Sequence, residues 1–267
     1  MSGDVVPGGL FGKFAAEGRT FVGAVCDGRV AELDTDRMSD LFDGSPGRTA
    51  RSHDAGAVKV LVPVDRPSKI ICIGLNYRSH ISEMGWEAPS SPIIFTKPPS
   101  AIIGPGDDIV LPSMSTRVDY EGESATIIGR RASHISDGSQ FIFGYTAFND
   151  VTARDLQKAD PDWTRAKGFD TFAPIGPLIS TTPPTTVTTR LNGRTVQRSP
   201  TSDRVFDDYT LVEYISTIMV LEPGDIIATG TPSGISPMSG GDVVEVELDG
   251  VGILSNSVRE YGVRGRG

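Results

Sequence analysis

Residues 118–129 read V-D-Y-E-G-E-S-A-T-I-I-G. Tyr120, Thr126, Ile127 and Ile128 suit a pleated surface and Gly129 closes the run, so a strand is predicted here. Alternate side chains of a strand share a face, which puts Glu121 and Glu123 on one side, about 6.6 Å apart along the backbone. Ala125 and Ile127 continue that face into apolar surroundings. Two carboxylates so placed repel each other unless a cation or a proton lies between them. The plain alternative is a solvated strand end with two ordinary surface charges.

The flanking sequence bears on that choice. Downstream, F-I-F-G-Y-T-A-F-N is predicted as a strand that runs into Asp150 and V-T-A-R-D-L-Q, a helix start with Asp150 near its N-cap. Capping alone is reason enough for an aspartate there. A carboxylate at a strand-to-helix junction can also reach a metal, which makes Asp150 the third ligand candidate. Upstream, K-I-I-C-I-G at 69–74 reads as a central strand, followed by N-Y-R-S-H-I-S-E at 76–83. In a helix, His80 and Glu83 lie at i and i+3, close enough to hydrogen-bond. Surface helices carry such pairs too, but the end of a buried strand is a usual place for site residues. The stretch 163–177, W-T-R-A-K-G-F-D-T-F-A-P-I-G-P, reads as a loop with aromatic anchors and one cation of note, Lys167.

A chain of 267 residues makes one large domain, or a main domain with a small appendage. Its 31 Gly and 19 Pro imply many turns and hence a β-rich α+β fold rather than a helical bundle. A net charge of −9 with no Lys/Arg cluster argues against nucleic acid and anionic membrane as partners. Cys26 and Cys72 form no C-x-x-C pattern, and Cys72 sits in an apolar run as a buried thiol. With no leader-like segment and no run of membrane-spanning length, the cytoplasm is the expected location. Residues 1–57 are predicted as a small N-terminal β-rich domain with a hairpin across Asp27–Gly28; its Gly/Ser/Arg-rich stretch 44–56 is read as a linker carrying a solvated His53. The main domain then covers 58–267. Within it, hairpins are predicted at Asn192–Gly193 and Asp249–Gly250, and Leu211, Ile215 and Met219 mark an amphipathic core helix. T-G-T-P-S-G lacks the lysine of a phosphate loop, which argues against nucleotide binding.

Five blocks, G-L-N-Y-R-S-H-x-x-E, V-D-Y-E-G-E, N-D-V-T-A-R-D-L-Q, K-G-F-D-T-F-A-P-I-G-P and L-E-P-G-D-I-I-A-T-G-T-P-S-G, occur in one order. In that order they resemble the fumarylacetoacetate hydrolase (FAH) family, in its acylpyruvase and 2-hydroxyhepta-2,4-diene-1,7-dioate isomerase-like branch. The resemblance spans roughly residues 58–260. It implies a mixed β-roll or sandwich catalytic domain behind a small N-terminal domain, in a homodimer. It implies that Glu121, Glu123 and Asp150 hold one divalent cation per subunit, and hard oxygen ligands suit Mg²⁺ or Mn²⁺. Lys167 is similar to the lysine that faces a bound 2-oxo acid. Arg154 and Gln157 are expected to contact substrate from one helical face, or else to make a structural ion pair or hydrogen bond. Thr231 resembles the threonine that contacts the substrate carboxylate. His80, oriented by Glu83, would take a proton from water at neutral pH.

The activity so implied is hydrolysis of a C–C bond in an acylpyruvate-like β-diketo acid. The alternative is an isomerase or decarboxylase of unsaturated 2-oxo diacids in aromatic catabolism, or of oxaloacetate. A diacid needs a cation for its second carboxylate, and Arg78, Lys97 and Arg165 are the candidates. Leu75 stands where some acylpyruvate-hydrolysing relatives have arginine, which argues against small dianionic substrates. Ser124 points away from the ligands and is expected to affect packing only. A catalytically idle metal- or oxo-acid-binding protein is the reading from another class, and the full set of polar groups in these blocks speaks against it.

Overall fold

The computed structural model describes residues 9–262 apart from 43 and 45. The tail V-R-G-R-G and the first eight residues of the N-terminal segment therefore lie outside the described residues.

The single strand expected over 118–129 is broken at Tyr120–Glu121: residues 118–119 join a separate two-stranded ribbon, and residues 122–128 lie deep in a twelve-stranded sheet. Its path begins with β4 (Arg48–Asp54), β3 (Arg29–Leu33), β2 (Arg19–Cys26) and β1 (Leu10–Ala16). It continues through β14 (Ala173–Ser180), β12 (Ile142–Asn149) and β11 (Gly122–Ile128) to β17 (Ile226–Ala228), β6 (Ile70–Gly74) and β7 (Ile93–Lys97). Off the path, β5 (Lys59–Val60) pairs with β1 and β8 (Ile102–Ile103) with β14. Every residue of β11 is buried, because both faces of the sheet are covered. On one face Ala125 and Ile127 pack with Cys72, Phe148 and Ile175. On the other, Ile128 packs with Leu211 and Ile215 of helix α4 (Asp208–Ser216). The Asp207 carboxylate caps that helix by accepting from the Thr210 amide at 2.9 Å.

A second sheet runs β16 (Arg194–Pro200), β15 (Thr186–Leu191), β18 (Val243–Leu248), β19 (Gly252–Glu260) and β9 (Ile109–Leu111). Both predicted hairpins are in it: β15–β16 turns at Asn192 and Gly193, each at positive φ, and β18–β19 turns through Asp249–Gly250. A ribbon of β10 (Val118–Asp119) and β13 (Thr152–Ala153) lies apart from both sheets. The short helices α1 (Arg78–Met84), α2 (Arg154–Ala159) and α3 (Thr164–Lys167) complete a β-rich α+β architecture, the class expected. Among the described residues no helix is long and apolar enough to cross a membrane.

The N-terminal strands continue the main sheet, since Leu10 and Phe11 of β1 pair with Ser180 and Ile179 of β14. Phe11, Val22 and Leu33 share the core of Ile127 and Phe148. Two expectations for this segment change. The stretch read as a bare linker holds β4, a polar edge strand, which needs few apolar residues because only one side is paired. His53 lies on that strand, not in open solvent: its Nε2 is 3.2 Å from Glu32 Oε2 and its ring stacks on Phe21 at 4.8 Å.

Candidate active site

Two pairings bring the acidic residues together. β10 pairs with β13, Asp119 opposite Thr152, and β11 pairs with β12, Gly122 opposite Asn149. Glu121 bridges β10 and β11 while Asp150 bridges β12 and β13, so the Asp150 amide donates to the Glu121 carbonyl at 2.8 Å. The Glu121 amide donates to Asn149 Oδ1 at 3.0 Å. Asp150 is therefore placed by strand pairing and is not a helix cap; α2 begins only at Arg154, after Ala153. Gly122 between the two glutamates is required, because a Cβ there would collide with Thr189 Oγ1.

Glu121, Glu123 and Asp150 are all buried, and one carboxylate oxygen from each lies within 4.8 Å of the others. Cations surround two of the three. Lys167 Nζ donates to Asp150 Oδ2 at 2.5 Å and Glu121 Oε2 at 2.9 Å. Lys97 Nζ, behind them, donates to Asp150 Oδ1 at 2.6 Å and to the Val151 carbonyl at 2.9 Å. Arg154 donates to Asp119 Oδ2 (2.9 Å), to Gln157 Oε1 (2.5 Å) and, by a short contact, to Glu121 Oε1. Glu123 accepts from the Gly230 amide at 2.7 Å and, among the described residues, has no ion-pair partner.

The titration behaviour follows from this layout. Burial raises the Glu121 pKa, but Lys167 and Arg154 outweigh it and hold the carboxyl well below its usual range. Burial, then the charges of Asp150 and Glu121, push Glu123 well above it. Burial depresses Lys97 despite Asp150, whereas Lys167, also penalised by burial, is held above its usual value by Asp150 and Glu121. Three hard oxygen donors converging on one point, one of them lacking a counter-charge, fit a divalent cation.

The carboxylates form the floor of a cavity of about 510 Å³. Its walls include Phe95, Trp163, Met84 and the exposed Trp86, and His80 and Glu83 of α1 also line it. His80 Nδ1 faces Glu83 Oε2 at 3.4 Å, and the Gly234 amide donates to the same oxygen at 3.4 Å.

The sequence model of the family "Fumarylacetoacetate (FAA) hydrolase C-terminal" matches residues 69–259. The chain belongs to this family. Among solved structures it resembles 2-hydroxyhepta-2,4-diene-1,7-dioate isomerase from Mycobacterium marinum, at 38% identity and TM-score 0.86 over 96% of this chain and 100% of that one. It is 43% identical over 225 residues to oxaloacetate tautomerase YisK of Bacillus subtilis, covering 77% of this chain and 75% of the relative. It is 40% identical over 217 residues to the mitochondrial oxaloacetate tautomerase Fahd2a of Rattus norvegicus, covering 75% and 69%.

The nine residues expected as metal ligands, catalytic groups or contacts to the 2-oxo acid line this cavity: His80, Glu83, Lys167, Glu121, Glu123, Asp150, Arg154, Gln157 and Thr231. The Thr231 hydroxyl donates to the Gly122 carbonyl at 2.9 Å and accepts from Gln197 Nε2 at 2.8 Å. Gln197 Oε1 accepts from the Gly122 amide at 3.0 Å, so the two side chains clamp the backbone between the glutamates. No local signal in the sequence marked Gln197. The three cations expected to meet a second substrate carboxylate are absent from the lining. Arg78 donates to the Asp203 and Arg204 carbonyls, Lys97 lies behind Asp150, and Arg165 pairs with Asp160. Arg117 and Lys158 line the cavity instead. Lys158 carried a usable signal, four residues after Arg154 and hence on the same helical face.

Proposed function

We propose that the chain is a divalent-metal-dependent enzyme that interconverts the keto and enol forms of a 2-oxo dicarboxylic acid, as an oxaloacetate tautomerase does. The observation that carries the reading is the buried cluster of Glu121, Glu123 and Asp150 at the floor of a cavity whose wall holds the His80–Glu83 pair. Two curated relatives, at 43% and 40% identity, are oxaloacetate tautomerases, which favours tautomerisation over the hydrolysis put first by sequence alone and outweighs the argument from Leu75 against a small dianion. Mg²⁺ or Mn²⁺ is the cation the oxygen donors suit. When bound, it supplies Lewis-acid polarisation of the 2-oxo group.

The protein residues do the rest. Lys167 adds positive charge where negative charge develops on the substrate oxygens. Glu83 faces His80 Nδ1 and thereby leaves Nε2 to take a proton from C3 in the keto-to-enol direction and to give one to C3 in the reverse, while the 2-oxygen gains or loses its proton by exchange with water. Arg154 holds Glu121 in place while Gln157 holds Arg154. Phe95 and Trp163 form an apolar wall against which the carbon chain of the substrate would lie.

Hydrolysis of an acylpyruvate is the second reading, favoured by the same His80–Glu83 contact, since that pair could equally activate a water molecule. One experiment separates them. Enol oxaloacetate is added to buffer and its ultraviolet absorbance followed with wild type and His80→Ala, with and without Mg²⁺ or Mn²⁺; pyruvate release from acetylpyruvate is measured in parallel. Metal-dependent acceleration of enol decay, reduced about a hundredfold or more in the variant, is the expected result. Pyruvate release without any effect on enol decay would overturn tautomerisation in favour of hydrolysis.

A further inference from the structure

Four cations line the cavity: Arg117, Arg154, Lys158 and Lys167. Three are committed to carboxylates: Arg117 to Asp119, Arg154 to Asp119 and Glu121, and Lys167 to Glu121 and Asp150. Lys158 is exposed and has no carboxylate or hydrogen-bond partner among the described residues. It follows Arg154 by four residues on α2 and adjoins Gln157, whose Oε1 accepts from Arg154 and whose amide nitrogen donates to no described residue. Residues at i, i+3 and i+4 of a helix share a face, and all three line the cavity. The α2 face therefore runs from a guanidinium tied to the carboxylate floor to an ammonium with nothing to neutralise it.

The charge of the lining points the same way. Its four cations are balanced by four carboxylates, Glu83, Glu121, Glu123 and Asp150. A divalent cation on this floor leaves two positive charges in excess, which a dianion neutralises and a monoanion does not. We infer that Lys158, assisted by the Gln157 amide, is the specificity-determining subsite for the distal carboxylate of a 2-oxo dicarboxylate. This rests on the reading that the floor binds a 2-oxo acid head. A flexible ammonium at the mouth suits this task, because a point charge with three rotatable donors tolerates several chain lengths.

Binding is measured by calorimetry at saturating Mg²⁺ on wild type, Lys158→Met and Lys158→Arg. The ligands are oxalate, which mimics the head alone, and three matched pairs: oxaloacetate and 2-oxobutanoate, 2-oxoglutarate and 2-oxopentanoate, 2-oxoadipate and 2-oxohexanoate. The expected result is a wild-type preference for at least one diacid of about tenfold or more, lost in Lys158→Met and retained in Lys158→Arg. Oxalate should bind all three proteins alike. A diacid preference that survives in Lys158→Met overturns the assignment of Lys158, and oxalate binding without any diacid preference overturns the subsite altogether. Absence of metal-dependent oxalate binding in wild type overturns the underlying reading of the floor, and the subsite with it.

Discussion

Replacing Lys97 with methionine tests whether the buried ion pair anchors Asp150. The Lys97 ammonium is fully buried, donating to Asp150 Oδ1 at 2.6 Å and to the Val151 carbonyl at 2.9 Å. Methionine fills most of the stem's volume, so the loss is one of charge and hydrogen bonds rather than packing. Removing one partner of a buried pair costs about 3–5 kcal/mol. Asp150 keeps Lys167 on its other oxygen, and burial already disfavours the charged form of Lys97, so the lower end applies, about 3 kcal/mol. At about 2–4 °C per kcal/mol for a chain of this size, Tm falls by about 6–12 °C. The assay is thermal unfolding in EDTA on wild type, Lys97→Met, Asp150→Asn and the double variant. Residues in contact couple, and the cycle should return about 2 kcal/mol between Lys97 and Asp150. Excess Mn²⁺ should restore part of the loss in Lys97→Met, because a cation again faces Asp150. A fall below about 2 °C, or single effects that add within about 0.5 kcal/mol, would refute the reasoning.

Glu123→Gln should remove most of the thermal stabilisation given by Mg²⁺ or Mn²⁺, which at a hundredfold excess over Kd is about 2.7 kcal/mol in wild type; differential scanning fluorimetry with and without the ion checks it. Gly122→Ala drives a Cβ into Thr189 Oγ1 and should destabilise by about 1–3 kcal/mol. It should also weaken metal binding by displacing the flanking glutamates, as isothermal calorimetry would detect. For Asp155, burial opposes ionisation, but hydrogen bonds from Ser115 Oγ (2.6 Å) and the Thr116 amide (2.8 Å) hold the carboxyl at about 2. A carboxyl depressed from an unfolded value of about 3.9 stabilises above that pH and loses the effect as pH falls through its folded value. The Tm difference between wild type and Asp155→Asn should therefore be constant above about pH 5, shrink as pH falls through about 2, and level off below it.

What could be read in the sequence was what short-range geometry specifies. The i, i+3 spacing of a helix joins His80 to Glu83, and Asn192–Gly193 names its own turn, whereas the strand expected over 118–129 breaks at Tyr120–Glu121, so Glu121 meets Glu123 from outside β11. For Asp150 the sequence offers a helix cap as the local reason for an acid at this position. A cap is a local explanation, whereas the actual one is the pairing of β10 with β13, segments more than thirty residues apart. β4 reads as a linker because an edge strand buries little, so its composition resembles that of a loop.

The cations were the least legible part, and the reason is physical. A lysine or arginine stem reaches several ångströms, and the carboxylate it meets is chosen by tertiary proximity rather than by sequence distance. Sequence position places Lys97 among candidates to meet the substrate, yet it closes a 2.6 Å pair with Asp150, fifty-three residues away, from behind the floor. Lys158, four residues from Arg154, carries little information in sequence because surface helices often end in a lysine. Its meaning comes only from subtraction, after Arg117, Arg154 and Lys167 have each been matched to an acid. In a site that gathers this many carboxylates, the cation left over is the one available to a second substrate carboxylate, since the charge of Lys167, though it faces the substrate oxygens, is already shared with Glu121 and Asp150.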